Sequence, residues 1–219
     1  SNGWMAMADS GASRIWSTSD GGASWTVNAN GSTAVQSSAA AISAASTSVV
    51  WAARNANPRI TRTADGGSTW VSSALPGTTP RAKALYAVSG TTAYATGYDD
   101  GGGPKNARIW KTIDTGTTWT TQLTEVDTTS VHTDISFAAG TNRGYMVTQF
   151  GELFRTTDGS TWTKQFTTGN NLEAVSAYFA AFPKGHLSAE ARYLRVEALS
   201  RSGKQAEAAA LARSMLDAN

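Results

Sequence analysis

The 219-residue sequence has no cysteine, which excludes disulfides, thiolate metal sites and cysteine nucleophiles together. Histidine is almost absent too. Only His132 and His186 occur, in parts of the chain with different composition, which disfavours a histidine metal site or a Ser-His-Asp triad. Charge of one sign is not in excess: 18 basic and 16 acidic residues leave a net charge of +2, with no Lys/Arg cluster of the kind nucleic acid needs. No apolar run approaches the ~20 residues of a membrane span. No initiator methionine or signal peptide is seen, since Ser1-Asn2-Gly3 opens directly into strand-like sequence, and a processed form or a fragment is the expectation. The missing cysteines fit a secreted, periplasmic or cell-surface protein.

What is present is unevenly spread. All eight Trp and nineteen of the 21 Gly lie before residue 172, with Thr throughout; after it there is no Trp or Thr, and about a quarter of the residues are Ala. Thr, Trp, Tyr and Val favour strands, whereas Ala, Leu, Glu and Arg favour helices. The composition therefore predicts a mainly β domain over residues 1–171 and a short all-α segment of two to three helices over 172–219.

Four segments repeat: "RIWSTSDGGASW" (14–25), "RITRTADGGSTW" (59–70), "RIWKTIDTGTTW" (108–119) and "ELFRTTDGSTW" (152–162). The shared pattern is Thr-x-Asp-x-Gly-x-Ser/Thr-Trp after a short alternating strand, and the closing Trps are 45, 49 and 43 residues apart. That is the period of a propeller blade, a four-stranded meander. Four blades are read at about 1–30, 37–76, 82–123 and 131–168, the first lacking its innermost strand. The fourth repeat is one residue shorter between Asp and Trp and needs a tighter turn.

The four segments resemble the Asp-box, or BNR repeat, found in sialidases, sortilin-like receptors, some endoglucanase propellers and the photosystem II assembly-factor propellers. "RGYMVTQFGELFRTTDGSTW" (143–162) looks most like the last group and its bacterial relatives. The resemblance implies a β-propeller over roughly residues 1–170. In each box the carboxylate (Asp20, Asp65, Asp114, Asp158) can accept backbone N–H bonds of a hairpin. Gly22, Gly67 and Gly116 supply positive φ. Trp25, Trp70, Trp119 and Trp162 cover the hairpin with a large apolar face. Acids repeated in every blade read as structural, because catalysis needs one or two; a bound cation at a box is the alternative.

The same resemblance raises sialidase chemistry, which in that family takes three arginines, a Tyr/Glu pair, an acid/base Asp and an Arg-Ile-Pro motif. "PRI" (58–60) has the letters in the wrong order, and Arg14, Arg59 and Arg108 share one repeat position read as beside the box, at the rim. Glu125 and Glu152 are the only glutamates before residue 172. Asp99, Asp100, Asp127 and Asp134 could meet across a funnel, as glycosidases require of paired carboxylates. The loop "YDDGGGPKN" (98–106) could bind a cation or sugar, or be a solvated insertion. A ligand face is expected opposite the boxes, where strand-two ends align as Arg54, Tyr98 and Gln149, with Asn55 and Asp99 beside them.

Residues 172–219 resemble a tetratricopeptide segment, carried by "YFAAFP", Tyr193, Leu194, Leu199, Gly203 and Ala208. "LEAVSAYF" (172–179) reads as helix, with a closing blade strand as the alternative. Together these features point to a non-enzymatic binding or scaffold module. Its propeller face would take a protein or glycan, and its tail would make partner contacts or assembly. A sialidase-like or other glycoside hydrolase relative, and a structural subunit of an envelope or extracellular assembly, are the alternatives. No cofactor or metal is expected, and homo-oligomerisation through the incomplete first blade or the tail is plausible.

Overall fold

The computed structural model describes residues 2–9, 12–28, 39–54, 60–101, 106–126, 132–138 and 140–167. The tail at 172–219, Asn55, Arg59 and Asp127 lie outside the described residues. Among the described residues every regular element is a strand, and the strands form four antiparallel sheets. The first has three strands: β1 (Gly3–Asp9), β2 (Ala12–Thr18) and β3 (Thr26–Val27). The second runs β4 (Ala39–Ala44), β5 (Val50–Arg54), β6 (Ile60–Thr63) and β7 (Val71–Ser73). The third runs β8 (Pro80–Ala87), β9 (Ala93–Asp99), β10 (Asn106–Thr112) and β11 (Thr120–Val126). The fourth runs β12 (His132–Phe137), β13 (Gly144–Thr148), β14 (Glu152–Thr156) and β15 (Thr163–Thr167). Each is a meander in sequence order, and in each the Thr-x-Asp turn joins the last two strands. In the first sheet that turn follows β2, so β1 holds the second-strand position and no described strand holds the first.

The second strands show why simple alternation is weak in this sequence. β13 is buried at all five positions, and β9 at six of its seven. Such strands have a neighbour on each edge and cover on both faces, so their sequences read as small and aromatic runs.

The chain divides into two compact units, Ser1–Thr128 and Thr129–Asn219. Inside the first unit the sheets pack face to face. Trp51, Ala53, Ile60 and Leu75 of the second sheet share a core with Ala82, Leu85, Ala95, Trp110 and Trp119 of the third. Alanines on the facing strands leave room for the indoles. Ile15 and Ala52, with Trp4, Ile42 and Trp70 against them, do the same between the first and second sheets. Two of these contacts share one pattern: the hairpin Trps of the second and third sheets stand edge-on to the second-strand aromatic of the preceding sheet. Trp70 meets Trp4 at 6.3 Å and 82°, and Trp119 meets Trp51 at 6.0 Å and 89°. T-shaped pairs add about 0.5–1.5 kcal/mol to the burial itself. In the second unit, Trp162 meets Phe137 of its own sheet at 5.9 Å.

Candidate functional site

The four hairpins carry the repeated acids. In the second sheet the Thr63 hydroxyl donates to Asp65 Oδ1 (2.8 Å) and accepts the Gly67 N–H (2.8 Å). Asp65 also accepts the Thr69 N–H (2.9 Å) on Oδ1 and the Thr69 hydroxyl (2.6 Å) on Oδ2. Gly67 has φ +92°. Trp70 Nε1 donates to Gly67 O (3.2 Å), tying the indole to the same turn. Asp20 accepts from Thr18 and Ser24, and Asp114 from Thr112 and Thr118, in the same way. In the fourth hairpin the Thr156 hydroxyl takes the N–H of Gly159, three residues on rather than four, and Asp158 takes those of Ser160 and Thr161. One residue fewer is accommodated by a tighter turn.

These bonds fix the charge state of the acids. The Thr69 hydroxyl, then the Thr69 N–H and the Thr63 hydroxyl, hold the Asp65 carboxyl down at about 2. Hydrogen bonds from Ser24 lower Asp20, those from Thr118 lower Asp114, and the Thr161 and Ser160 N–H groups lower Asp158. A carboxyl that stays ionised and accepts several hydrogen bonds is poorly suited to proton transfer near neutral pH. The partners missed by sequence reasoning are the hydroxyls: Thr18, Thr63, Thr112 and Thr156 two residues before each acid, and Ser24, Thr69, Thr118 and Thr161 before each Trp. They were visible as fixed letters of the repeat.

At the opposite end of the third sheet, Asp99 is buried (5% exposed). It accepts the N–H groups of Thr78 (3.2 Å) and Thr79 (2.8 Å), and Arg108 Nη2 lies 3.5 Å away. A Cβ at Gly77, where φ is +138°, would sit 2.5 Å from Asp99 Oδ2. Trp110 Nε1 donates to Pro76 O (3.0 Å). Asp99 and Trp110 therefore hold the 76–79 connection that carries the chain from the second sheet to the third. Asp100 beside it is partly exposed and pairs with Arg81 (3.4 Å). Tyr98 is half-buried under Lys83, whose Nζ is 5.8 Å from the ring centre. Arg108, expected beside a hairpin, stands instead at the far end of β10, bonded to Asp99 and to the Thr124 hydroxyl (2.8 Å). The reason is strand length: Arg108 precedes Thr112, where the hairpin begins, by four positions.

The remaining expected face residues are less informative. Arg54 ends β5, in the same unit as Tyr98. Gln149 belongs to the second unit, in the turn closed by Gly151 N–H to Thr148 O (3.1 Å). Next to that turn Glu152 is buried and pairs with Lys164 at 2.6 Å, while Phe150 is exposed. Among the described residues no group of three or more His, Asp or Glu is placed to hold a metal ion. Nor, among them, is any helix long and apolar enough to cross a membrane.

Serial antiparallel meanders, each with a Thr-x-Asp hairpin between its last two strands, are the blades of a β-propeller fold. Solved structures agree on that fold. The chain is similar to YCF48 from Cyanidioschyzon merolae (18% identity, TM-score 0.54, covering 76% of this chain and 53% of that one). It is also similar to a GH74 enzyme from Niastella koreensis (21%, TM-score 0.55, 77% and 28%). A third match is the GH74 xyloglucanase from Xanthomonas campestris (15%, TM-score 0.55, 82% and 30%). The chain spans about half the length of the YCF48 structure and under a third of either GH74 structure. At these identities the likeness shows the fold alone. No protein-family model matches the sequence, and no curated protein matches it.

Proposed function

We propose that the chain is a non-enzymatic binding or scaffold module that takes a protein or glycan at the end of its sheets opposite the hairpins. One observation carries this reading: six of the described acids, the four hairpin aspartates with Asp99 and Glu152, are engaged in the fold. Asp20, Asp65, Asp114 and Asp158 each accept several turn donors, Asp99 is buried on a loop backbone, and Glu152 is paired with Lys164. A glycosidase needs two carboxyls facing one substrate bond, about 5–9.5 Å apart. Within the first unit that end of the third sheet offers Tyr98, Asp100 and Arg81; within the second unit, taken by itself, the same end of its sheet offers Gln149 and the exposed Phe150. Aromatic and mixed polar groups of this kind suit recognition. A secreted, periplasmic or cell-surface setting belongs to the proposal and is supported by the cysteine-free composition.

Peptide and glycan arrays probed with the full chain test the reading. Binding lost in Tyr98→Ala or Asp100→Ala, with unchanged thermal unfolding, is the expected result. Turnover of xyloglucan or aryl glycosides that disappears in Asp99→Asn or Asp134→Asn would overturn it and establish the hydrolase alternative.

A further inference from the structure

The two faces of the second sheet are not covered equally. Along β5, Trp51 and Ala53 pack toward the third sheet, and Ala52 between them packs toward the first. Among the described residues, eleven buried ones share the core with the third sheet, Trp51, Trp110 and Trp119 included. In the cluster toward the first sheet only Ile15 and Ala52 are buried, and Trp4, Ile42 and Trp70 against them are partly exposed. The rim of this junction is open as well. A cleft of about 310 Å³ separates Asn2, Gly3 and Trp4 from Ile42, Ala44 and Thr47. Protein interiors pack with few voids larger than a water molecule, so a junction opened in this way forgoes part of the dispersion that holds sheets together.

The polar anchors differ in the same direction. Across the junction of the second and third sheets, Trp119 Nε1 donates to the Ser73 hydroxyl at 3.0 Å and Trp51 Nε1 to Ser89 O at 3.3 Å. Across the other junction, Trp70 Nε1 is divided between Asn28 Oδ1 at 3.3 Å and Gly67 O of its own turn at 3.2 Å. Asn28 is fastened to the first sheet by its N–H to Ile15 O (2.8 Å). Exposure of the hairpin indoles follows suit: Trp119 is 7% exposed, and Trp25 of the first sheet is 36% exposed.

We infer that the first sheet is a flap: it undocks from the second sheet as a unit while the second and third sheets stay packed. Each opening uncovers the face made by Ile42, Ala52 and Trp70 and leaves Trp51 and Trp119 covered. Local opening is cheapest where buried apolar contact is least, and here that is the junction closed by Ile15 and Ala52. The described part of the flap has three strands, the last of two residues, and little holds such a sheet once it has left its neighbour. Undocking therefore lets its amides exchange with solvent. The inference makes no use of the Tyr98 end, so failure of either proposal leaves the other standing.

Hydrogen exchange of the full chain in low denaturant, read by mass spectrometry, tests the inference. Relative to their intrinsic rates, the β2 amides should exchange about a hundredfold faster than those of β9 and β10, or faster still. Ile15 is buried in the junction (1% exposed), and Ile15→Ala should speed exchange of the first sheet by about thirtyfold or more. Exchange of the third sheet should stay unchanged in that variant. Should Ile15→Ala fail to fold, Asn28→Ala removes only the acceptor facing Trp70 and should give the same selective effect, about threefold to tenfold. Two results would each overturn the proposal. One is β2 exchange as slow as that of β9, which means that the sheets open only together. The other is a folded junction variant that speeds both sheets by the same factor, or neither.

Discussion

Trp119 stands edge-on to Trp51 with ring centroids 6.0 Å apart, although the two residues belong to different sheets. Each indole also has a polar anchor: Trp119 Nε1 donates to the Ser73 hydroxyl (3.0 Å) and Trp51 Nε1 to Ser89 O (3.3 Å). The pair couples a hairpin to the core of its neighbour sheet. Trp119→Ala should cost about 3–5 kcal/mol, as large-to-small changes at buried aromatics do. Trp51→Ala should cost as much, and the double variant should fall short of their sum by about 0.5–1.5 kcal/mol. Urea unfolding of the three variants measures this directly.

Two adjacent glycines separate backbone strain from crowding. At Gly66 (φ +69°) a Cβ would meet nothing within 4 Å, whereas at Gly67 (φ +92°) it would lie 1.9 Å from Asn28 Nδ2. Asn28 Oδ1 accepts a bond from Trp70 Nε1 (3.3 Å), so displacing it also disturbs the indole. Gly66→Ala should cost about 1–2 kcal/mol from left-handed backbone alone. Gly67→Ala should cost roughly twice as much or more, because overpacking adds to the strain. Equal losses in chemical denaturation would mean that Asn28 yields freely.

Asp99 supports a loop, so its removal should have a local signature. Asp99→Ala strands a partly buried Arg108 and two N–H groups, and should destabilise by about 3 kcal/mol. Asp99→Asn should lose less, since it retains an acceptor for one of the two N–H groups. In both variants the amides of Thr78 and Thr79 should exchange faster than those of the distant Thr63–Trp70 turn. Hydrogen exchange resolved to these segments is the check.

Much of the fold was legible because its information is local. The Thr63, Asp65, Gly67 and Thr69 bonds span four residues or fewer, so the repeat displays them as fixed letters. The four sheets and the short first one follow from the spacing of those letters. Contacts made across the chain were not legible. The partners of Asp99, Thr78 and Thr79, lie some twenty residues earlier and on the far side of a strand pairing, where no local pattern displays them. Arg108 was misplaced for a related reason: strand-three length decides which end of the sheet it reaches. The exposure of Trp25 was equally hidden, since the letter is the same in all four repeats while its burial among the described residues is not.

The central claim is that the repeated acids hold the hairpin turns, and the pH dependence of one substitution tests it most directly. Donors from Thr69 and Thr63 depress the Asp65 carboxyl from its ordinary 3.8 to about 2 in the folded protein. A depressed carboxyl contributes stability above its unfolded value, and that contribution is lost as pH falls through the folded one. The quantity to measure is the difference in thermal midpoint between the wild-type protein and Asp65→Asn from pH 7 down to pH ~2. The account expects a lower midpoint for the variant at neutral pH and a gap that narrows steadily between about pH 4 and pH 2. No gap at pH 7, or a gap that stays constant into acid, would contradict it.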